Sequence, residues 1–250
     1  MTLFHVFGLP IRAYGLMLVI GFAAGIWRAA RVASSRGIDP GRVYDIAMIS
    51  LISGVLGARL VYVLLTPETE SLGEFFAIWD GGLTSFGGLL AVAGWYLYAR
   101  VTRESFWRLA DLVAPSIPIG YALTRIGCFI NGCCYGSPTS LPWGVRFREA
   151  SGLTPPSHPT QIYASIANLL IFLALTRLER MGRGPGFVSF GYLGLYGIYR
   201  FLIEFLRAGI TAEVWILGMT HAQIVSLLLI AGCAVVIFTV YRKPLNHRKG

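Results

Sequence analysis

Charge is what this sequence has least of. Only 13% of its 250 residues are Asp, Glu, Lys or Arg, about half the share of an ordinary soluble domain. That excludes a chain kept in water by a charged surface. Carboxylates are scarcer than cations, 12 against 21, which leaves a net charge of +9. Cysteines number four. Three lie close together (Cys128, Cys133, Cys134) and one stands alone in the last apolar run (Cys233), which excludes a disulfide framework. Met1 to Pro10 holds no Lys or Arg, so a secretory leader with a basic first segment is not expected. No repeat with a period of 20–50 residues stands out, and no low-complexity tract.

What is there instead is apolar. Hydrophobic residues make up 55% of the chain, and several runs reach about 20 residues, the length that crosses a bilayer core. Spans are expected near 12–33, 43–65, 83–101, 111–128, 159–178, 187–207 and 219–241. The basic residues gather on alternate connections. Arg28, Arg31, Arg36 and Arg42 follow the first span, and Arg100, Arg103 and Arg108 the third. Arg177, Arg180 and Arg183 follow the fifth, and Arg242, Lys243, Arg248 and Lys249 the last. The connection after the second span carries Glu68, Glu70, Glu74 and Asp80 and no cation. The excess of Lys and Arg marks cytoplasmic loops. The expected architecture is therefore an all-α integral membrane protein of about seven transmembrane helices, N-terminus outside and C-terminus cytoplasmic, forming one domain over residues 1–250. The net charge follows this topology, so no nucleic-acid partner is expected. Gly191, Gly194 and Gly197 recur at a spacing that lets helices approach closely in lipid.

Some charges do not belong in lipid. Arg59, Arg125, Arg200 and Glu204 fall inside spans, and Arg207 ends one. Such residues cost at least a few kcal/mol each and mark function by default. With the orientation above, the three arginines sit at a similar level near the outer leaflet. Arg200, Glu204 and Arg207 share one helix face at i, i+4, i+7. One carboxylate cannot neutralise this many guanidiniums, so an anion is needed. The planar fork of arginine suits phosphate, and a phospholipid headgroup is the phosphate at that depth. Each arginine also has a plain structural reading, snorkelling to the interface or bonding a carbonyl, and Arg59 fits that reading best.

Next to Arg125 the segment from Thr124 to Gly136 holds three glycines, one Asn and three Cys. Irregular backbone at membrane depth survives only when buried in protein or lining a cavity, so this segment reads as a wall of a site. Arg125-Ile-Gly-Cys-Phe-Ile-Asn-Gly132 followed by Tyr135-Gly136 resembles the signature of the prolipoprotein diacylglyceryl transferase family, Arg-Ile-Gly-Asn-Phe-Ile-Asn-Gly-Glu-x-(Trp/Tyr)-Gly. Five further stretches resemble family landmarks in the same order: Ile11-Arg-Ala-Tyr-Gly15, Gly57-Ala-Arg59, Gly81 to Leu89, His158-Pro-Thr-Gln-Ile-Tyr163, and Tyr199 to Arg207.

The resemblance implies a transferase that moves the diacylglyceryl group of phosphatidylglycerol onto a lipobox cysteine thiol in a prolipoprotein signal peptide. It implies the first step of bacterial lipoprotein maturation, at the outer face of the inner membrane. It implies no metal and no cofactor. The partners expected are phosphatidylglycerol, the prolipoprotein and the bilayer. This chain departs from the family pattern at three places. Cys128 stands for the usual Asn, Cys133 for the usual Glu, and Phe86 for a frequent His that has been proposed as a base.

Roles follow. Arg125 is expected to take the lipid phosphate, with Tyr14, Asn131, Gly136, Gln161 and Arg59 completing the lipid-binding set. Arg200 is expected to serve the same phosphate or the leaving group, or else to close a pair with Glu204. Glu204 positions an arginine; flanked by guanidiniums, it is a poor base. His158, at the start of the fifth span, is the candidate base or else a capping histidine. Activation of the thiol by surplus positive charge is preferred. The three clustered cysteines read mainly as small packing residues, with a disulfide or redox role as the alternative. Two other functions stay open: a transporter or flippase that binds anionic lipid without chemistry, and a thiol-redox membrane protein.

Overall fold

The structure is a computed structural model that describes residues 2–6, 9–65, 87–149, 152–207, 214–216 and 218–241, with backbone alone for 2–6, 9–11, 55, 58–65, 87, 89, 214 and 216. Its helices, in chain order, are α1 (Ala13–Ala33), α2 (Pro40–Leu65), α3 (Gly87–Thr102), α4 (Phe106–Val113), α5 (Ser116–Asn131), α6 (Thr160–Arg180), α7 (Phe187–Glu204) and α8 (His221–Val240). Among the described residues, four stretches are long and apolar enough to cross a membrane: Ala13–Arg36, Phe106–Asn131, Thr160–Arg180 and His221–Val240. The molecule is thus mostly helical and of membrane type. Among the described residues, three short antiparallel hairpins accompany the helices, which an all-α expectation leaves out. They are β1 (Thr2–Val6) with β2 (Leu9–Arg12), β3 (Arg148–Glu149) with β4 (Gly152–Leu153), and β5 (Val214–Ile216) with β6 (Met219–Thr220). Their runs are too short for a helical period to register, and each is held by pairing with its neighbour.

The distribution of polarity is inverted relative to a soluble protein. Leu169, Leu170 and Leu173 on α6 are exposed, as are Val225, Leu228, Val235 and Phe238 on α8. Gln161, Ser165 and Asn168 of α6 and Gln223 and Ser226 of α8 are buried. Apolar surface turned outward costs nothing against acyl chains, and small polar residues hold helix to helix where there is no hydrophobic drive.

The chain divides into two compact units, residues 28–109 and residues 1–27 with 110–250. In the first, α2 packs on α3. Trp95 donates to Ser50 Oγ at 2.8 Å, Tyr98 donates to Asp45, and Arg42 pairs with Glu104 at 3.4 Å. In the second, α5, α6, α7 and α8 pack in sequence, with Ala164, Ile171, Leu175, Val188, Tyr199 and Ile203 at the core. The helices come close where side chains vanish. A Cβ on Gly21 of α1 would stand 2.8 Å from the Gly120 carbonyl of α5, and one on Gly197 would stand 3.0 Å from Ile230 of α8. The small-residue spacing on α7 is therefore a packing device.

Helix α7 begins in the interior, where its unpaired N–H groups must find an acceptor. Asp111 of α4 supplies it. One carboxylate oxygen accepts from Gly186 N at 2.7 Å, and the other from Ser189 N at 2.8 Å and Ser189 Oγ at 2.6 Å. The negative charge also faces the positive end of the helix. Replacing Asp111 by Ala strands three buried donors at the start of α7. We expect Asp111→Ala to cost at least about 2 kcal/mol, read as a lowered Tm of the detergent-solubilised protein; an unchanged Tm would contradict this account.

Candidate functional site

Arg125 lies on α5, a turn and a half from its end. One turn earlier, Tyr121 sits beneath it. The guanidinium donates to the Tyr121 hydroxyl and lies over that ring, 4.8 Å from its centre. Tyr121 in turn meets Tyr196 and Tyr199 of α7 edge-on, at 6.3 Å and 6.2 Å between ring centres. An aromatic face stabilises a cation where water is scarce. These contacts fix one side of the guanidinium and leave the other turned to a cavity.

That cavity has a volume of about 760 Å³ and is lined by Arg12, Tyr14, Tyr121, Thr124, Arg125, Cys128, Asn131, Cys133 and Cys134. Each of these positions has a local reason. Arg12 closes β2, paired across the hairpin with Thr2, and Tyr14 opens α1 directly after it. Asn131 is the last residue of α5, which stops because Gly132 takes φ 74°, a left-handed conformation open to glycine. The Cys133 N–H then caps the helix by donating to the Cys128 carbonyl at 3.1 Å.

The loop beyond is tied down residue by residue. Gln161, fully buried at the start of α6, donates from Nε2 to the Cys133 carbonyl at 2.7 Å. Thr160 Oγ1 donates to the Cys134 carbonyl at 2.9 Å. Cys134 adopts φ 66°, left-handed without being glycine, a conformation that costs about 1–2 kcal/mol. Gly136 N donates to the His158 carbonyl at 2.9 Å, and Ser137 N to the Leu206 carbonyl at 2.9 Å. The chain crosses so tightly that a Cβ on Gly136 would stand 2.2 Å from Leu206 O and 2.7 Å from Thr160 Cγ2.

The three thiols converge. The sulfurs of Cys128, Cys133 and Cys134 all lie within 4.8 Å of one another, the first buried, the second half-buried, the third exposed. Hydrogen bonds from the Cys128 and Cys134 thiols, with Asn131 adding to them, hold the Cys133 thiol well below the usual thiol range.

Arg200 and Glu204 form an ion pair one turn apart on α7. The Glu204 carboxylate is fully buried there, and its second oxygen accepts from Thr220 Oγ1 at 3.2 Å. Thr220 also caps α8 through a reciprocal pair with Gln223.

The structure thus gathers Arg125, Tyr14 and Asn131 around one cavity. Arg200, Glu204, His158, Gln161 and Gly136 are not among its lining residues. Arg200 takes the closed-pair arrangement. His158 faces Tyr163, with Nδ1 3.4 Å from the hydroxyl, while its backbone carries the 136–158 crossing. Gln161 and Gly136 hold the loop that carries the thiols. Arg59 belongs to α2, in the other unit, and its side chain lies outside the described residues, as does Phe86. Sequence reasoning missed Arg12, the Tyr121 that backs Arg125, and the convergence of the thiols. Arg12 stands in the Ile11-Arg-Ala-Tyr-Gly15 stretch, where Tyr14 alone was given a role. The convergence of the thiols depends on the left-handed turns at Gly132 and Cys134, and Cys-x4-Cys-Cys spacing does not announce them.

A cavity lined by two guanidiniums, two tyrosines and an amide, in a mostly apolar helical chain of membrane type, suits an anionic ligand. Comparison with known proteins narrows this. The sequence profile of the prolipoprotein diacylglyceryl transferase family matches residues 1–239. Relatives named phosphatidylglycerol–prolipoprotein diacylglyceryl transferase include one from Geobacter sulfurreducens, 37% identical over 242 residues, covering 87% of this chain and 92% of the relative. One from Clostridium tetani is 34% identical over 252 residues, covering 96% and 97%. One from Aeromonas salmonicida is 34% identical, covering 94% and 88%. The chain belongs to the prolipoprotein diacylglyceryl transferase family.

The glycine at 136 is a steric requirement. Gly136→Ala drives a methyl into the Leu206 carbonyl, and neither backbone can move without opening the crossing. Overpacking of this kind costs about 1–3 kcal/mol. We expect a lowered Tm together with faster maleimide labelling of Cys133. Labelling at the native rate in a variant of native Tm would refute the crossing.

Proposed function

We propose that this protein transfers the diacylglyceryl group of phosphatidylglycerol to the lipobox cysteine thiol of prolipoproteins. The observation that carries the reading is Arg125, backed by Tyr121 and open on its other side to a cavity that also holds Arg12, Tyr14 and Asn131. Membership of the family supports the reaction class.

The chemistry is a displacement. The lipobox sulfur, as thiolate, attacks the glyceryl carbon that carries the phosphate. A C–S bond forms, the C–O bond to phosphate breaks, and glycerol phosphate leaves with the electron pair. The phosphodiester brings one negative charge and the leaving group gains more. Guanidiniums fixed at the phosphate stabilise charge as it develops, without reorganising. Arg125 binds the phosphate with two parallel hydrogen bonds, and Arg12, at the end of β2, adds a second cation to the lining. Tyr14 and Asn131 hydrogen-bond the headgroup. The same positive field favours the ionised form of the incoming thiol. Arg200, neutralised by Glu204, acts on α7 and α8 and reaches the leaving group only if its pair opens. His158 and Gln161 hold the loop.

The topology supporting this has seven spans. The helices α1, α2, α3, α4 with α5, α6, α7 and α8 fall in order on the seven stretches expected from sequence, and the Lys/Arg asymmetry puts the N-terminus outside. The cavity then opens toward the outer leaflet of a bacterial inner membrane, beside the lipid and the translocated peptide.

The test is complementation of a bacterium deprived of its own diacylglyceryl transferase, with transfer from labelled phosphatidylglycerol to a prolipoprotein peptide measured in parallel. The wild type should restore lipidation. Arg125→Ala should insert normally and lose at least about 100-fold in transfer. Two charge-assisted hydrogen bonds are worth about 3 kcal/mol or more, and each 1.4 kcal/mol is a factor of about ten. Retained activity in an inserted Arg125→Ala protein would reject the assignment.

A further inference from the structure

The transfer reading leaves the three cavity thiols without a task. We infer that Cys128, Cys133 and Cys134 form a binding site for a single soft, thiophilic cation of the Zn2+ and Cd2+ class, and that the loaded site blocks the cavity. Resemblance to the family implies catalysis without metal, and the site inferred here is inhibitory rather than catalytic.

Three observations carry it. First, the sulfurs lie within 4.8 Å of one another. Tetrahedral zinc thiolates have Zn–S of about 2.3 Å, hence sulfurs about 3.8 Å apart, so closure asks each sulfur to move by about half an ångström. Second, the backbone that bears them is fixed from three sides: by the cap at Cys128, by Gln161 on the Cys133 carbonyl, and by Thr160 on the Cys134 carbonyl. The left-handed turn at Cys134 belongs to that arrangement. Third, all three residues line the open cavity, so a fourth coordination position faces solvent and is free for water.

A donor set of sulfur alone selects soft ions over Mg2+, Ca2+ and Mn2+. A disulfide is the less fitting product. Adjacent residues have Cα atoms about 3.8 Å apart, short of the usual span of a disulfide, and any one bridge leaves the third sulfur unused. Binding takes the sulfurs as thiolates and displaces the protons they still carry. A divalent ion held by three thiolates carries a net charge of −1. Placed in the wall that also bears Arg125, it competes with a lipid phosphate for the guanidinium and occupies the same volume.

The probe is Cd2+ itself, added to the reduced full-length protein in detergent, with the sulfur-to-cadmium charge-transfer absorption recorded. The band should saturate at one Cd2+ per chain and protect three of the four cysteines from maleimide. Cys133→Ser and, separately, Cys134→Ser should weaken binding by at least about tenfold, while Cys233→Ser should leave the titration unchanged. The exposed position of Cys134 makes its serine variant the one least able to disturb folding, and equal Tm values establish that.

No band in fully reduced wild type overturns the site. So does a band undiminished in both serine variants, or a disulfide among the three thiols in protein alkylated directly in membranes. The inhibition arm rests on the transferase reading. Stoichiometric Cd2+ should suppress transfer by the wild type and a chelator should restore it. Expressed against each protein's own metal-free rate, the suppression should be lost in Cys134→Ser. Activation by Cd2+ would overturn the inhibitory role. The absorption arm needs no transfer activity, so the two readings fail separately.

Discussion

A guanidinium cannot be left bare in a low-dielectric interior, and the unit that holds the cavity is organised around that constraint at Arg125. Its charge is met from below by the Tyr121 ring and hydroxyl. Tyr121 is in turn held by the edges of Tyr196 and Tyr199, and Tyr199 belongs to the packed core shared with Ile171, Leu175 and Ile203. The cation is therefore connected through aromatic contacts to α6 and α7, and among the described residues its orientation is set by packing rather than by a carboxylate. An arginine paired with a carboxylate would present no net charge to a ligand. One supported by aromatic faces keeps its full charge on the open side.

The second constraint is backbone satisfaction. Past the end of α5 the chain leaves helical geometry beside the cavity, exposed at Cys134 and buried at Gly136. Each turn recruits a donor or acceptor: Gln161 and Thr160 for the two cysteine carbonyls, His158 and Leu206 carbonyls for the next N–H groups. The polar side chains at the start of α6 thus serve the loop. Their order explains why Gln161 is fully buried in a helix whose outward face is leucine.

How much of this was legible in the sequence differs by element. The helices were, because apolar runs of spanning length have few alternatives. The place of Arg125 beside a cavity was, because a half-buried cation beside three glycines is hard to reconcile with packing alone. The hairpins were not: two to five paired residues leave no period to read. The i, i+4 spacing of Arg200 and Glu204 allowed both a ligand-facing arginine and a closed pair. What settled the arrangement was Thr220, sixteen residues further on, which fixes the second carboxylate oxygen. Gln161 and Gly136 stand in motif stretches and were read as lipid contacts. A motif marks which positions matter without saying whether they touch the ligand or hold what does. Arg12 was passed over since a cation at an expected span boundary looks like an interface residue.

The charge of the cavity follows from these placements. Glu204 removes Arg200 from the account, which leaves Arg12 and Arg125 as the cations in the lining. Beside them stands Cys133, where the family pattern has a carboxylate, its thiol held below the usual range by hydrogen bonds from Cys128 and Cys134. A lowered thiol and a carboxylate both lean toward negative charge, so the substitution keeps an acidic group in the wall that bears the two arginines. Sulfur brings a liability to soft cations that oxygen does not, and the neighbouring Cys128 and Cys134 make that liability a geometric property of this chain.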